Sequence, residues 1–341
     1  MTRLTIKDLA KLSGYSLGTV SRVLNNQPNV SEQARKTILA LVEAHGFERN
    51  ASAQLLKQQR TKSVLIVVKG TSNEMFAAMV EKLQSLFADT DHPVIADFID
   101  EDDNEVRRAA QLCRERKPSG VLFLGGNNEN FRGDFGRIDV PSVVVTNDAH
   151  ELGFLNLSSV STDDCKGAAC AVEHLLACGH RDIIVLGGDR AISDTSAKRY
   201  EGCVEAFRKN GLTFDDETMY YTGRYSYEFG YNGMKQVLRE RKDFTAVFAM
   251  ADVIAIGAIR ALFDEGLRVP EDISVAGYDG LRIGGYFVPK LTTIAQSVDL
   301  LAERSFDLLL ACMQGAQGQH LTVPFRLLTR QSVRQITEIE G

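Results

Sequence analysis

A chain of 341 residues is too long for one ordinary domain, and its 44% hydrophobic content supplies sizeable cores. The net charge of −6 argues against a nucleic-acid partner for the chain taken as a whole. The charge is uneven, however: residues 1–60 carry nine Lys/Arg against four Asp/Glu, a surplus of five cations, which leaves −11 for the rest.

The six cysteines form no CxxC pair and show no zinc-like spacing, so buried free thiols in a reducing cytosol are expected. The first residues lack the apolar stretch of a signal peptide, and no run approaches the ~18 apolar residues of a membrane span. The expectation is a cytoplasmic protein with neither metal nor cofactor.

Residues 1–46 read as three short helices. Ile6, Leu9 and Ala10 give one apolar face, and the Thr5 hydroxyl is placed to cap that helix. Gly14 permits a tight turn within Ser13–Tyr15. Ser16 opens a second helix with Val20, Val23 and Leu24 inward. Ser31 opens a third with Ala34, Ile38, Leu41 and Val42, and Gly46 ends it. Ala10, four residues before the turn glycine, allows a close helix crossing, and Val20, six after it, fills the gap. This is helix-turn-helix spacing. The outer face of the second helix presents Leu17, Gly18, Ser21 and Arg22, and arginine is the commonest reader of guanine in the major groove. From the residues alone, a solvated face on a helical cap and a protein-docking module remain alternatives.

The stretch "TIKDLAKLSGYSLGTVSRVLNNQPNVSEQAR" closely resembles the head of the lactose/galactose repressor (LacI/GalR) family, "TVSRVLNN" followed by "NVSE" most specifically. The resemblance implies base-reading positions at Leu17, Gly18 and Arg22, and positions near phosphates for Thr5, Ser16, Thr19, Ser21, Asn25 and Ser31. Gly18 departs from the larger reader that family members often carry.

Residues 47–62 have no apolar face wide enough for a core. Asn50 could cap a helix over 51–57, too short to be stable alone in water. By the resemblance, this hinge helix folds on operator DNA, two copies side by side in the minor groove. Asn50 and Ala53 lie on it, and Leu56 wedges between base pairs. Arg49 stands where the family usually has proline before that asparagine.

From residue 63 to 341, β-branched apolar runs alternate with amphipathic helical stretches: strands at 63–68, 94–99, 120–125, 141–146, 182–188, 245–250 and 272–279, helices near 74–88, 104–116, 165–178, 196–210 and 253–265. This alternation predicts an α/β body of parallel sheets flanked by helices, and the number of units implies two lobes. "VEHLLACGHRDIIVLGG", "RVPEDISVAGYD" and "PKLTTIAQ" extend the resemblance to a periplasmic-binding-protein-like body. It implies lobe 1 over about 63–161 and 297–325, and lobe 2 over about 162–296 and 326–341.

Ligands of parallel α/β lobes bind beyond the carboxyl ends of strands. Residues just after strands are therefore the pocket candidates: Asn73, Phe76 and Asp148 from one lobe, facing Arg199, Tyr225, Asp252 and Asp279 from the other. By the resemblance Arg199, Asp252 and Asp279 clamp the ligand, Tyr225 stacks on it, and Gln296 sits at a hinge strand. Ala251 replaces an asparagine common in the family. No Walker A, GxGxxG after a strand, GxSxG or HExxH pattern occurs, and the six histidines are scattered. The expected function is sequence-specific transcriptional regulation, with repression favoured, by a homodimer on a near-palindromic operator. A small polar effector of sugar type controls it; a purine or nucleoside effector is the alternative. From another class, a cytosolic α/β enzyme with a helical appendage is the competing reading.

Overall fold

The computed structural model describes residues 6–24, 30–44, 61–70 and 73–336. The chain divides into two compact units, residues 1–59 and 60–341.

In the first unit, helices α1 (Ile6–Ser13), α2 (Leu17–Leu24) and α3 (Glu32–Ala44) pack around Leu9, Val20, Val23 and Ile38. Gly14 adopts φ 71° and donates its N–H to the Ala10 carbonyl at 3.1 Å, closing the first helix into a turn that a side chain would strain. Ser16 accepts from the Thr19 N–H at 3.2 Å and Ser31 from the Ala34 N–H at 3.3 Å. Each hydroxyl thus satisfies a donor that a helix start leaves open.

The second unit contains two six-stranded sheets. The first combines β1 (Val64–Lys69), β2 (Val94–Ile99), β3 (Gly120–Leu124), β4 (Ser142–Val145), β5 (Leu157–Thr162) and β11 (His320–Val323), in the order β11-β5-β4-β3-β1-β2. The second combines β6 (Ile183–Gly187), β7 (Tyr220–Thr222), β8 (Ala246–Ala249), β9 (Ser274–Asp279), β10 (Thr292–Gln296) and β12 (Phe325–Leu328), in the order β12-β10-β9-β8-β6-β7. The pairing is parallel except at β10–β12, which runs antiparallel because the chain crosses back between lobes at residue 324.

Helices cover both faces of each sheet, which is why the strands are continuous apolar runs. Lobe 1 lies between α4 (Glu74–Ala88) with α12 (Val298–Met313) on one face, and α5 (Glu105–Arg116) with α6 (Asn128–Asp134) on the other. Lobe 2 lies between α7 (Asp164–Ala177) with α8 (Asp194–Lys209), and α10 (Tyr227–Glu240) with α11 (Asp252–Asp264). The expected helices recur within two residues of their bounds, whereas α6, the short α9 (Asp216–Met219), α10, α12 and the strands β5, β7, β10, β11 and β12 are additions. The cysteines are free, but only Cys203 and Cys312 are buried; the other four are half-buried. Among the described residues no helix is long and apolar enough to cross a membrane.

Candidate functional site

The carboxyl ends of the two sheets face each other across a cleft of about 240 Å³. Four helices begin at it, and their capping side chains line it: Asn73 for α4, Asn127 for α6, Ser193 for α8 and Ser226 for α10. Two non-glycine residues on its wall hold positive φ, Thr146 at 80° after β4 and Asp279 at 113° ending β9. Such conformations persist only where the surroundings enforce them, and they cluster at binding sites. Glycines supply the remaining room. A Cβ at Gly125 would stand 3.1 Å from the Phe76 ring, and one at Gly188 would strike Ser196 and Tyr225.

The lobe 2 wall rests on buried charge. Arg199 is only 4% exposed. Its Nε donates to Asp164 at 2.8 Å, its Nη1 to the Met250 carbonyl, and its Nη2 lies 3.8 Å from Asp279. The guanidinium also stacks 3.7 Å from the centre of the Tyr278 ring. Asp279 accepts from Gln296 Nε2 at 2.9 Å, and burial pushes its carboxyl up to about 6 against the lowering effect of Arg199. Tyr225 shares a 2.8 Å hydrogen bond with Ser196 and presents its ring to the cleft.

The lobe 1 wall is built from amides, an aromatic ring and an acidic loop. Asn73 Oδ1 accepts from the Met75 and Phe76 N–H groups, which leaves its NH2 without a partner among the described residues. Lys69 donates to the buried Glu105 at 2.6 Å, and Glu105 in turn accepts from the Asn127 N–H at 2.7 Å. Bonds span the cleft. Arg224 of lobe 2 reaches Asp100 at 2.9 Å, Glu101 at 2.9 Å and Asp102. Asn127 donates to the Ile192 carbonyl at 2.7 Å, the Asn128 N–H to Asp194 at 2.6 Å, and Thr195 to Asn147 at 3.0 Å. These contacts hold the lobes together over the cleft.

Of the expected pocket residues, Asn73, Phe76, Arg199, Tyr225 and Asp279 line this cleft. Three do not. Asp148 turns back onto its own loop, accepting from the His150 N–H at 3.0 Å and the Ser159 hydroxyl at 3.4 Å, while Thr146 and Asn147 occupy the wall. Asp252 is fully buried, accepting from the Leu281 N–H and the Thr293 hydroxyl, each at 2.6 Å. Burial, then the neighbouring Asp279, push its carboxyl well above the usual range. It pins the loop after β9 and does not reach the ligand space. Gln296 stands behind Asp279 and bridges it to Thr162 of lobe 1, whose hydroxyl donates to Gln296 Oε1 at 3.0 Å. Sequence reasoning missed the Asp100–Asp102 loop, Asp189 and Arg224, because isolated charges after a strand read as solvated surface.

In the first unit, α2 exposes Gly18 and Arg22, and Thr19 shares its hydroxyl with Ser16 at 2.9 Å. A Cβ at Gly18 would come no closer to a neighbour than 3.8 Å, so packing does not demand glycine there. Thr5, Asn25, Asn50, Ala53 and Leu56, with the expected hinge helix, lie outside the described residues, as do the side chains of Leu17 and Ser21.

Residues 5–50 match the family model described as bacterial regulatory proteins, lacI family, and residues 172–333 match that of a periplasmic binding protein-like domain. The chain is 33% identical over 338 residues to the HTH-type transcriptional regulator MalR of Clostridium butyricum, covering 96% of this chain and 99% of that one. Its structure is similar to that of a transcriptional regulator CelR–cellobiose complex, with a TM-score of 0.70, 26% identity, and coverage of 97% of this chain and 100% of that one. It is equally similar to the lac repressor dimer bound to operator and the anti-inducer ONPF, with a TM-score of 0.70, 26% identity, and coverage of 98% and 100%. The helix-turn-helix unit, the two-lobed body and these likenesses agree: the protein is a DNA-binding transcriptional regulator, not an enzyme, and it belongs to the LacI family of bacterial regulatory proteins.

Proposed function

We propose that the chain represses transcription in the cytoplasm as a homodimer on a near-palindromic operator, and that a sugar-type effector in the cleft sets its affinity for DNA. The observation that carries this reading is the cleft itself. Two walls on separate lobes converge on one space, so a ligand touching both interacts differently with open and closed forms. That difference is what shifting a two-state equilibrium requires.

The side chains suit a polyol. Asp279 accepts from hydroxyl groups, the Asn73 NH2 and Arg199 Nη2 donate to oxygens, and the Phe76 and Tyr225 rings cover the apolar face of a pyranose. The similarity to a cellobiose-bound regulator and to an operator-bound repressor dimer supports both halves of the reading. On the DNA side, Arg22 reads a base edge from α2, with Leu17 and Gly18 beside it. Leu56 wedges into the minor groove from a hinge helix that includes Asn50 and Ala53.

Calorimetry of cellobiose, maltose and glucose against the full chain and Asp279→Asn tests the effector half. Saturable binding to the wild type, weakened at least about tenfold in the variant, is expected. Retained affinity would place the ligand elsewhere. For the assembly, a body fragment beginning near residue 62 is expected to sediment as a dimer, and a monomer at micromolar concentration would remove the body as the dimer contact.

A further inference from the structure

The positive elements at the cleft are, one after another, already answered by a carboxylate of the protein. Lys69 is held by Glu105 at 2.6 Å, and Arg199 by Asp164 at 2.8 Å. Arg224 meets three acids, Asp100, Glu101 and Asp102, on one loop. Helix N-termini also attract anions. Each of the four that open onto the cleft carries its own side-chain cap and its own acid in the first turn: Glu74 on α4, Glu129 on α6, Asp194 on α8 and Glu228 on α10.

What remains is a surplus of negative charge. At the mouth, one guanidinium faces three carboxylates. Burial, and then Asp102 and Asp100, push the Glu101 carboxyl up against the opposing pull of Arg224, as expected for a crowded acidic loop. Asp189 lines the wall with one oxygen taken by the Ala191 N–H at 2.8 Å and the other without a partner among the described residues. Deeper in, among the described residues Asp279 has only the more distant Arg199 contact, at 3.8 Å, and the neutral Gln296 amide. A phosphorylated or carboxylated ligand would displace one of these pairs or sit beside unpaired acids, and like charges brought together in a confined site cost affinity. The surplus therefore bears on anionic ligands, because Arg199, the buried cation at the cleft, is already held by Asp164. Hydroxyl groups fit, since they donate to the spare carboxylate oxygens and accept from the Asn73 amide.

We infer that the cleft selects a hydroxyl-rich ligand without anionic groups and rejects phosphorylated and carboxylated sugars. This rests on the reading of the cleft as the effector site and narrows the chemical class of the effector.

The test is a thermal-shift and calorimetric panel on the full chain at fixed ionic strength. It uses cellobiose, maltose and glucose, their anionic counterparts glucose 6-phosphate and glucuronate, and hypoxanthine. A neutral sugar is expected to bind at least about tenfold more tightly than either anionic sugar. Binding of glucose 6-phosphate or glucuronate as tight as that of the neutral sugars would overturn the charge rule and leave the sugar reading standing. A response to hypoxanthine alone would overturn the sugar reading and with it this class assignment. Silence across the panel would overturn both. The double variant Asp100→Asn/Asp102→Asn, made on an exposed loop, supplies an independent arm. It releases Arg224 from two partners and is expected to raise affinity for glucose 6-phosphate several-fold, and unchanged rejection would contradict an electrostatic origin.

Discussion

The two walls of the cleft are built on different principles. The lobe 2 wall is a buried polar network in which Arg199, Asp164, Asp279 and Gln296 hold one another with little exposure to solvent. The lobe 1 wall has one buried pair, Lys69–Glu105, but is otherwise a set of helix caps and an acidic loop, and its cross-cleft ion pair, at Arg224, is half exposed. Buried charge is costly to leave unpaired, while exposed pairs contribute little. Lobe 2 therefore supplies a preorganised surface, and lobe 1 supplies contacts that can be made and broken when the lobes move.

The largest expected contrast is in stability. Arg199→Ala leaves Asp164 buried without its cation, and a loss of about 3–5 kcal/mol is expected in denaturant unfolding. Arg224→Ala is expected to cost under about 1 kcal/mol, and less at high salt. Equal losses in the two variants would erase the distinction between the walls.

Acid sharpens it next. His180 is buried in lobe 2 between the Thr245 hydroxyl at 2.9 Å and the Arg334 carbonyl at 3.2 Å, and burial lowers its pKa to about 4. Its folded value lies below the unfolded one of 6.5, so stability is full above that pH and declines as pH falls toward about 4. Over that window the loss from this group is roughly 3 kcal/mol. His180→Gln is expected to flatten the decline, and an unchanged profile would assign it to other groups.

Asp279 gives the corresponding effect on ligand. Burial pushes its carboxyl up to about 6, and a ligand hydroxyl donates more strongly to the ionised form than to the protonated one. Affinity is expected to hold above pH 6 and to weaken as pH falls below it, toward the loss expected for Asp279→Asn. Calorimetry between pH 5 and 8 checks this, and a flat profile would remove Asp279 from direct contact.

The smallest effects on stability belong to the first unit, where function lies on the surface rather than in the core. Arg22→Ala is expected to cost roughly 1–3 kcal/mol of operator affinity and to relax one position of each half-site, with the fold unchanged. Gly18→Ser is expected to fold normally, given the open space at its Cβ, and to alter preference at a neighbouring base. Selection from random duplexes reads both.

Legibility in the sequence follows the same division. The head was readable because Ala10, Gly14 and Val20 are each fixed by a local requirement: a close crossing, a positive φ, a filled gap. Seven of the described strands, β1 to β4, β6, β8 and β9, were readable from their apolar, β-branched runs, and the shorter or more polar ones were not. Helix α10 was not, because Gly230 and Gly233 weaken its helical signal. The reason for Gly230 is tertiary: a Cβ there would strike the Ile254 backbone of α11. Asp252 and Asp279 both follow apolar runs, and spacing does not say which carboxylate turns toward the cleft. The Leu281 N–H and the Thr293 hydroxyl, far along the chain, decide it for Asp252. Asp148 was misplaced for a similar reason, since Ser159 on the adjacent strand β5 draws it away.

Occupancy of this cleft is proposed to control DNA binding. The most direct test is fluorescence anisotropy of an operator duplex, selected from random sequence by the full chain, measured at constant salt with and without the neutral sugar that binds. At a sugar concentration that just fills the wild-type cleft, a change in operator affinity of at least about fivefold is expected in the wild type and a much smaller one in Asp279→Asn, with DNA binding of the ligand-free variant retained. An equal change in both proteins, or no change in either despite a filled cleft, would contradict that control.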